Sequence, residues 1–151
     1  MKKIVLSSFI GFSVCLTLGA VDQLPVKQQD VSPKQLESQN RQIVKLAAAE
    51  ESKNLPIKID KYTTIVDIKA QDTTMIYTFE INSGAKSDEA IIKEDHSRME
   101  KAVTQGICRS SKRFMDAQIT KIYRYISAVS KRKLFEFKVN QAVCSKLNKS
   151  Y

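Results

Sequence analysis

Two alternating runs, "TIVDIKA" (Thr64 to Ala70) and "TMIYTFEIN" (Thr74 to Asn82), lie either side of a short "QDT" and constrain this chain more than any other feature. A side-chain period of two belongs to a β-strand, and so short a link joins neighbouring strands as an antiparallel hairpin. In the second run Met75, Tyr77, Phe79 and Ile81 share one face, opposite Thr74, Ile76, Thr78 and Glu80. One face is apolar, so the sheet needs a covering layer.

The pattern returns near the C-terminus. "QITKIYRYI" (Gln118 to Ile126) and "LFEFKVN" (Leu134 to Asn140) read as two more strands around a basic turn, with Phe135, Phe137 and Val139 on one face. Alternation sends Tyr123 and Tyr125 to one side and Arg124 to the other, which favours a cross-strand aromatic pair over a stacking platform for nucleic acid. Helices precede each pair. In "SPKQ", Ser32 is an N-cap, Pro33 the first helical residue and Gln35 the partner of a capping box. That helix, residues 32–53, carries a thin apolar stripe of Leu36, Ile43, Leu46, Ala47 and Ala49. It is expected to pack lightly on the domain or to dock a partner through Leu36, Ile43 and Leu46. Ser87, Asp88 and Glu89 open a second helix, with Ile91, Ile92, Met99, Ala102 and Val103 as its buried stripe and Gly106 closing it. The fold class predicted is α+β: a small antiparallel sheet of about four strands in two hairpins, helices on one face, order α-β-β-α-β-β.

Export shapes the rest. "MKKIVLSSFIGFSVCLTLGA" has two lysines, an apolar run and a small-residue end, as a secretory signal does, with cleavage expected near Ala20. Retention as an anchor is the lesser reading, because no basic stop-transfer cluster follows the run. Cys15 is not a lipid-attachment site: "FSVC" lacks the leucine and the small residue such a box carries. Residues 21–31 are polar and aperiodic, a flexible entry segment, and residues 54–151 form the α+β domain. Without the leader only Cys108 and Cys144 remain, in a compartment that oxidises thiols, so one disulfide is expected. The charge, +9 for the whole chain, becomes +7 when Lys2 and Lys3 are removed from 25 basic against 16 acidic residues. A basic exported protein meets phosphate-bearing surfaces, and Arg109, Lys112, Arg113, Lys131, Arg132 and Lys133 are the candidates for an anion-binding surface, converging if they act together. Export makes nucleic acid an improbable partner.

No catalytic set assembles. Cys108 precedes Arg113 by five positions, one short of the phosphatase loop, with no histidine before it and no cradle of glycines. Placed just past a helix C-terminus, its thiol gains nothing from the helix dipole. His96, the only imidazole, reads as a solvated side chain on the second helix. "SKRK" (Ser130 to Lys133) has a Ser-x-x-Lys spacing, but in a hairpin turn of a small domain. Glu94, Asp95 and Glu100 are carboxylates whose spacing says nothing about their separation in space. One histidine and two oxidised cysteines offer no metal site, and no cofactor is implied.

The pattern "IYTFEIN … GIC … IYRYI … LFEFKV … C", from Thr64 to Cys144, resembles small exported bacterial domains with a single disulfide, such as periplasmic accessory proteins of type IV pilus and secretion systems. That resemblance implies a periplasmic or secreted, non-enzymatic protein that works through a protein partner in the cell envelope, as an accessory to assembly of a pilus or secretion apparatus. The alternatives are a basic binder of anionic polymer, such as lipopolysaccharide or extracellular DNA, and a small secreted hydrolase or enzyme inhibitor.

Overall fold

A computed structural model describes residues 32–148; the leader, its cleavage point and the entry segment lie outside the described residues. Helix α1 (Pro33–Ser52) begins as its sequence dictates, with the Ser32 hydroxyl accepting the Gln35 N–H and Pro33 in the first turn. Strand β1 (Ile57–Lys58) follows, then the hairpin of β2 (Thr63–Gln71) and β3 (Thr74–Ile81). Its turn places Asp72 at φ 51°, a left-handed conformation that aspartate tolerates. The expected second helix is three: α2 (Asp88–Ile92), α3 (Ser97–Ser110) and α4 (Lys112–Asp116). Strands β4 (Thr120–Ser127) and β5 (Lys133–Val139) and a last helix, α5 (Gln141–Asn148), complete the chain.

The α+β class and the helix-covered sheet are as expected, with three differences. The sheet has five strands in the order β1-β2-β3-β4-β5. The added strand is two residues long, too short for any period to register. The central pair is parallel, Tyr77 beside Tyr123 and Phe79 beside Tyr125, whereas both outer hairpins are antiparallel. Parallel neighbours need a long crossover, and the three-helix connection supplies one. Finally, the helix after Ser87 breaks at residues 93–96 because the Asp95 carboxylate accepts both the N–H and the hydroxyl of Ser97, a local turn that competes with the helix.

The core lies between the sheet and the helices. Met75, Tyr77, Phe79, Tyr123, Tyr125 and Phe137 form one cluster with Val44, Ala48, Ile68 and Ile119. Rings stack across the strands: Tyr77 on Tyr123 at 5.1 Å, Phe79 on Tyr125 at 4.8 Å, Tyr125 on Phe135 at 4.6 Å. Burial pushes the Tyr125 hydroxyl up to about 12. Helix α1 packs through Asn40, Val44 and Ala48, four residues apart, with Val44 wholly buried. The Asn40 amide donates to the Ala117 carbonyl at 2.8 Å. Leu36, Ile43 and Leu46 lie outside that contact and are left exposed.

Candidate functional site

Cys108 and Cys144 are bonded, with Cα atoms 5.5 Å apart. Their address differs from the one expected. Gly106 has no positive φ and lies inside α3, which runs on to Ser110, so Cys108 belongs to that helix's last turn. Its partner sits in α5, a helix missed by periodicity but signalled by Asn140, whose side chain accepts the Val143 N–H. Met115 and Val139 pack around the bridge.

The six candidate anion-binding residues form two groups at opposite ends of β4. Lys112 and Arg113 precede the strand on α4 with Arg109 just before them, and Lys131 to Lys133 follow it; the strand separates the groups by roughly 20 Å. They do not converge. Lys131 pairs with Glu80 at 2.7 Å, Arg132 with Glu89, and Lys133 with Glu136 at 3.9 Å, so the turn group is largely neutralised by acids. Lys112 pairs with Asp116 at 2.6 Å. Arg109 and Arg113 are exposed without an ion pair among the described residues.

The turn is also tied to α2. The Ser130 hydroxyl donates to Asp88 and Arg132 donates to Glu89, contacts 42 and 43 residues apart in the chain. The Ser130 hydrogen bond holds the Asp88 carboxyl below the usual range, and its own backbone N–H together with Arg132 does the same for Glu89. The acids expected to complement a helix dipole thus also clamp a hairpin.

Beside that clamp, α2, the start of α3 and β5 enclose an apolar bowl of about 560 Å³. Ile81, Ile91, Met99, Phe135 and Tyr62 line it, and the His96 ring stacks on Phe135 with centroids 3.8 Å apart. His96 is therefore half-buried at the break between helices, not solvated, and its Nε2 lies 3.0 Å from the Ile91 carbonyl. Across the rim Lys86 and Glu94 pair at 2.7 Å, which keeps the Glu94 carboxyl below the usual range. The rim loop is shaped by Gly84, at φ 61°, and by the Asn82 side chain accepting the Gly84 N–H. Five segments spread from Tyr62 to Phe135 build this bowl, and each looks ordinary in isolation.

A second polar group lies in the core. Lys121 is 7% exposed, with Nζ 3.2 Å from the Ser111 hydroxyl and 4.8 Å and 5.4 Å from the Phe114 and Tyr77 ring centres. Burial lowers its pKa, partly offset by Glu51, which accepts the Tyr77 hydroxyl at 2.8 Å. A serine beside a lysine held towards neutrality has the parts of a nucleophile and base. Both side chains are buried and neither lines the bowl, and the ammonium lies between aromatic faces.

Among the described residues no group of His, Cys, Asp and Glu could hold a metal ion, and no helix is long and apolar enough to cross a membrane. No protein-family model matches the chain, and no curated protein matches it by sequence. Solved structures do match. A protein of Pseudomonas aeruginosa regarded as secreted is similar with a TM-score of 0.64 at 9% identity, over 72% of this chain and 96% of that one. The pilotin EpsS of the Vibrio vulnificus type 2 secretion system scores 0.61 at 13% identity, over 74% and 96%. AspS, a pilotin of the Vibrio cholerae type II secretion system, scores 0.55 at 16% identity, over 74% and 97%. At these identities the likeness is one of fold, and it spans nearly the whole of each of those chains.

Proposed function

We propose that this chain is an exported, non-enzymatic accessory protein of a cell-envelope secretion apparatus, acting in the periplasm by holding a protein partner. The observation that carries the reading is the fold likeness to two type II secretion pilotins, over 96% and 97% of their lengths. Among the assemblies expected from the sequence, a pilus or a secretion system, that likeness favours the second. The leader of residues 1–20, cleaved near Ala20, would deliver the chain.

The bowl is the grip. An apolar hollow with an ion pair on its rim suits a few apolar side chains of a partner, oriented by polar groups at the edge. Tyr62 is 53% exposed and Met99 37%, so both can meet a partner without the core opening. The test places a photo-crosslinking residue at Met99 and identifies adducts in the native envelope. A component of the secretion apparatus is expected. Tyr62→Glu with Met99→Glu should abolish the adduct seen from a second crosslinker at Lys86 while leaving the melting curve unchanged. Normal secretion and apparatus assembly in a strain lacking the protein would overturn the reading.

A further inference from the structure

We propose that the outer face of α3 binds the phosphate-bearing surface of an anionic phospholipid membrane. Arg98, Lys101, Gln105 and Arg109 recur at intervals of three and four, so they share one face within an arc of about 80°. That face is opposite the half-buried Val103 and Ile107, while Thr104 and the bridged Cys108 lie beside it towards α5. Arg98, Lys101 and Arg109 are exposed and make no ion pair among the described residues, spread over about 16 Å of helix. Elsewhere the pattern is the reverse: the cations at the β4–β5 turn each meet a glutamate.

Two carboxylates just before the helix are already engaged, Glu94 by Lys86 and Asp95 by the Ser97 N–H and hydroxyl. Helix α5, packed beside α3, carries no carboxylate side chain from Gln141 to Asn148. Asp116 is engaged by Lys112, and Glu100 lines the groove towards Val143 and Leu147, whose edge Lys101 shares. The complement of this row is an anion of comparable extent. A membrane suits it better than an acidic protein because of what lies alongside. Ala102 and Gly106 form an adjoining strip, with open space where a Cβ on Gly106 would lie, so exposed, small and apolar groups flank the cations. Basic residues beside a shallow apolar strip match the headgroup region, where phosphates meet acyl chains.

The test is co-sedimentation of the protein as isolated from cells with vesicles of phosphatidylglycerol and phosphatidylcholine, against vesicles of phosphatidylcholine alone. Binding to the anionic vesicles only is expected, weakening steeply with salt. Each Lys or Arg near such a surface contributes about a factor of five, so R98A/K101A/R109A should lower the partition constant roughly a hundredfold. K34A/K58A/K138A removes the same charge from exposed positions elsewhere and should lower it less than fivefold. Ala102→Glu sets a carboxylate beside the row and decides the matter if the triple variant fails to fold. Equal binding to both vesicles, or equal loss in the two triple variants, would overturn the proposal. Full inhibition of vesicle binding by millimolar inorganic phosphate would also do so, assigning the site to a free anion.

Discussion

Removing the disulfide should cost this domain a large part of its stability. The bridge joins residues 36 apart, and cross-linking a loop of that length restricts the unfolded chain by roughly 3.8 kcal/mol at 25 °C in the chain-entropy model. Alanine at both positions adds a small void beside Met115 and Val139, which are 2% and 0% exposed, for about another 0.5–1 kcal/mol. The expected loss for C108A/C144A is therefore about 4–5 kcal/mol, against the 5–15 kcal/mol typical of a whole domain. In a thermal melt that corresponds to a fall of about 12–20 °C. The loss should also be local before it is global. Helix α5 is eight residues long, too short to persist without docking, and the bridge pins it to α3. Urea unfolding gives the free energy, and hydrogen exchange of the amides in α5 gives the local effect. A loss below about 1 kcal/mol, or unchanged protection in α5, would refute the reasoning.

Other expectations concern α1, the buried lysine and the clamp. Val44→Ala should cost about 2 kcal/mol in urea unfolding, while Leu36→Ala and Ile43→Ala should each change stability by less than about 0.5 kcal/mol, since only Val44 is in the core. Lys121→Met with Ser111→Ala should stabilise the domain at pH 7 by about 1–3 kcal/mol, because a buried ammonium is exchanged for an apolar group of similar length. The folded pKa of Lys121 lies below 10.5, so the unfolded chain binds more protons between the two values and the parent's stability rises with pH across that window. The double variant should lack this rise; an equal gain at pH 7 and pH 11 would count against it. Asp88 and Glu89 titrate below the ordinary carboxylate range, so their clamp is intact above about pH 4 and is lost as pH falls through the lowered values. Asp88→Ala with Arg132→Ala should speed hydrogen exchange at residues 128–132 at neutral pH and leave the melting temperature nearly unchanged, as exposed pairs do.

What could be read before the structure was whatever is written locally. Ser32 and Pro33 announce a helix start because a cap and a fixed φ need no partner elsewhere. The alternation from Thr74 to Ile81 and from Lys133 to Val139 marks a buried face because a strand covered on one side imposes that period. The disulfide followed from counting, since the expected loss of the leader leaves two cysteines. Periodicity was misleading where a helix carries apolar residues on its open side. Leu36, Ile43 and Leu46 are larger than the alanines, yet Asn40, Val44 and Ala48 face the sheet. The α2–α3 break was present in the sequence as Asp95 before Ser97, a turn signal outweighed by the run of helix formers around it.

The sequence by itself determined the class of the fold, the faces of its main strands, the covalent bridge and the start of α1, because each depends on neighbours in the chain or on a count of residues. Tertiary structure alone decided that β3 and β4 run parallel, since that depends on where a three-helix connection returns the chain. It also decided that the basic turn is neutralised by α2, that His96 stacks on Phe135, and that Tyr62, Ile81, Ile91 and Met99 surround one hollow. Each of these joins residues tens of positions apart, and their meeting is set by how the helices close over the sheet, which no local period encodes.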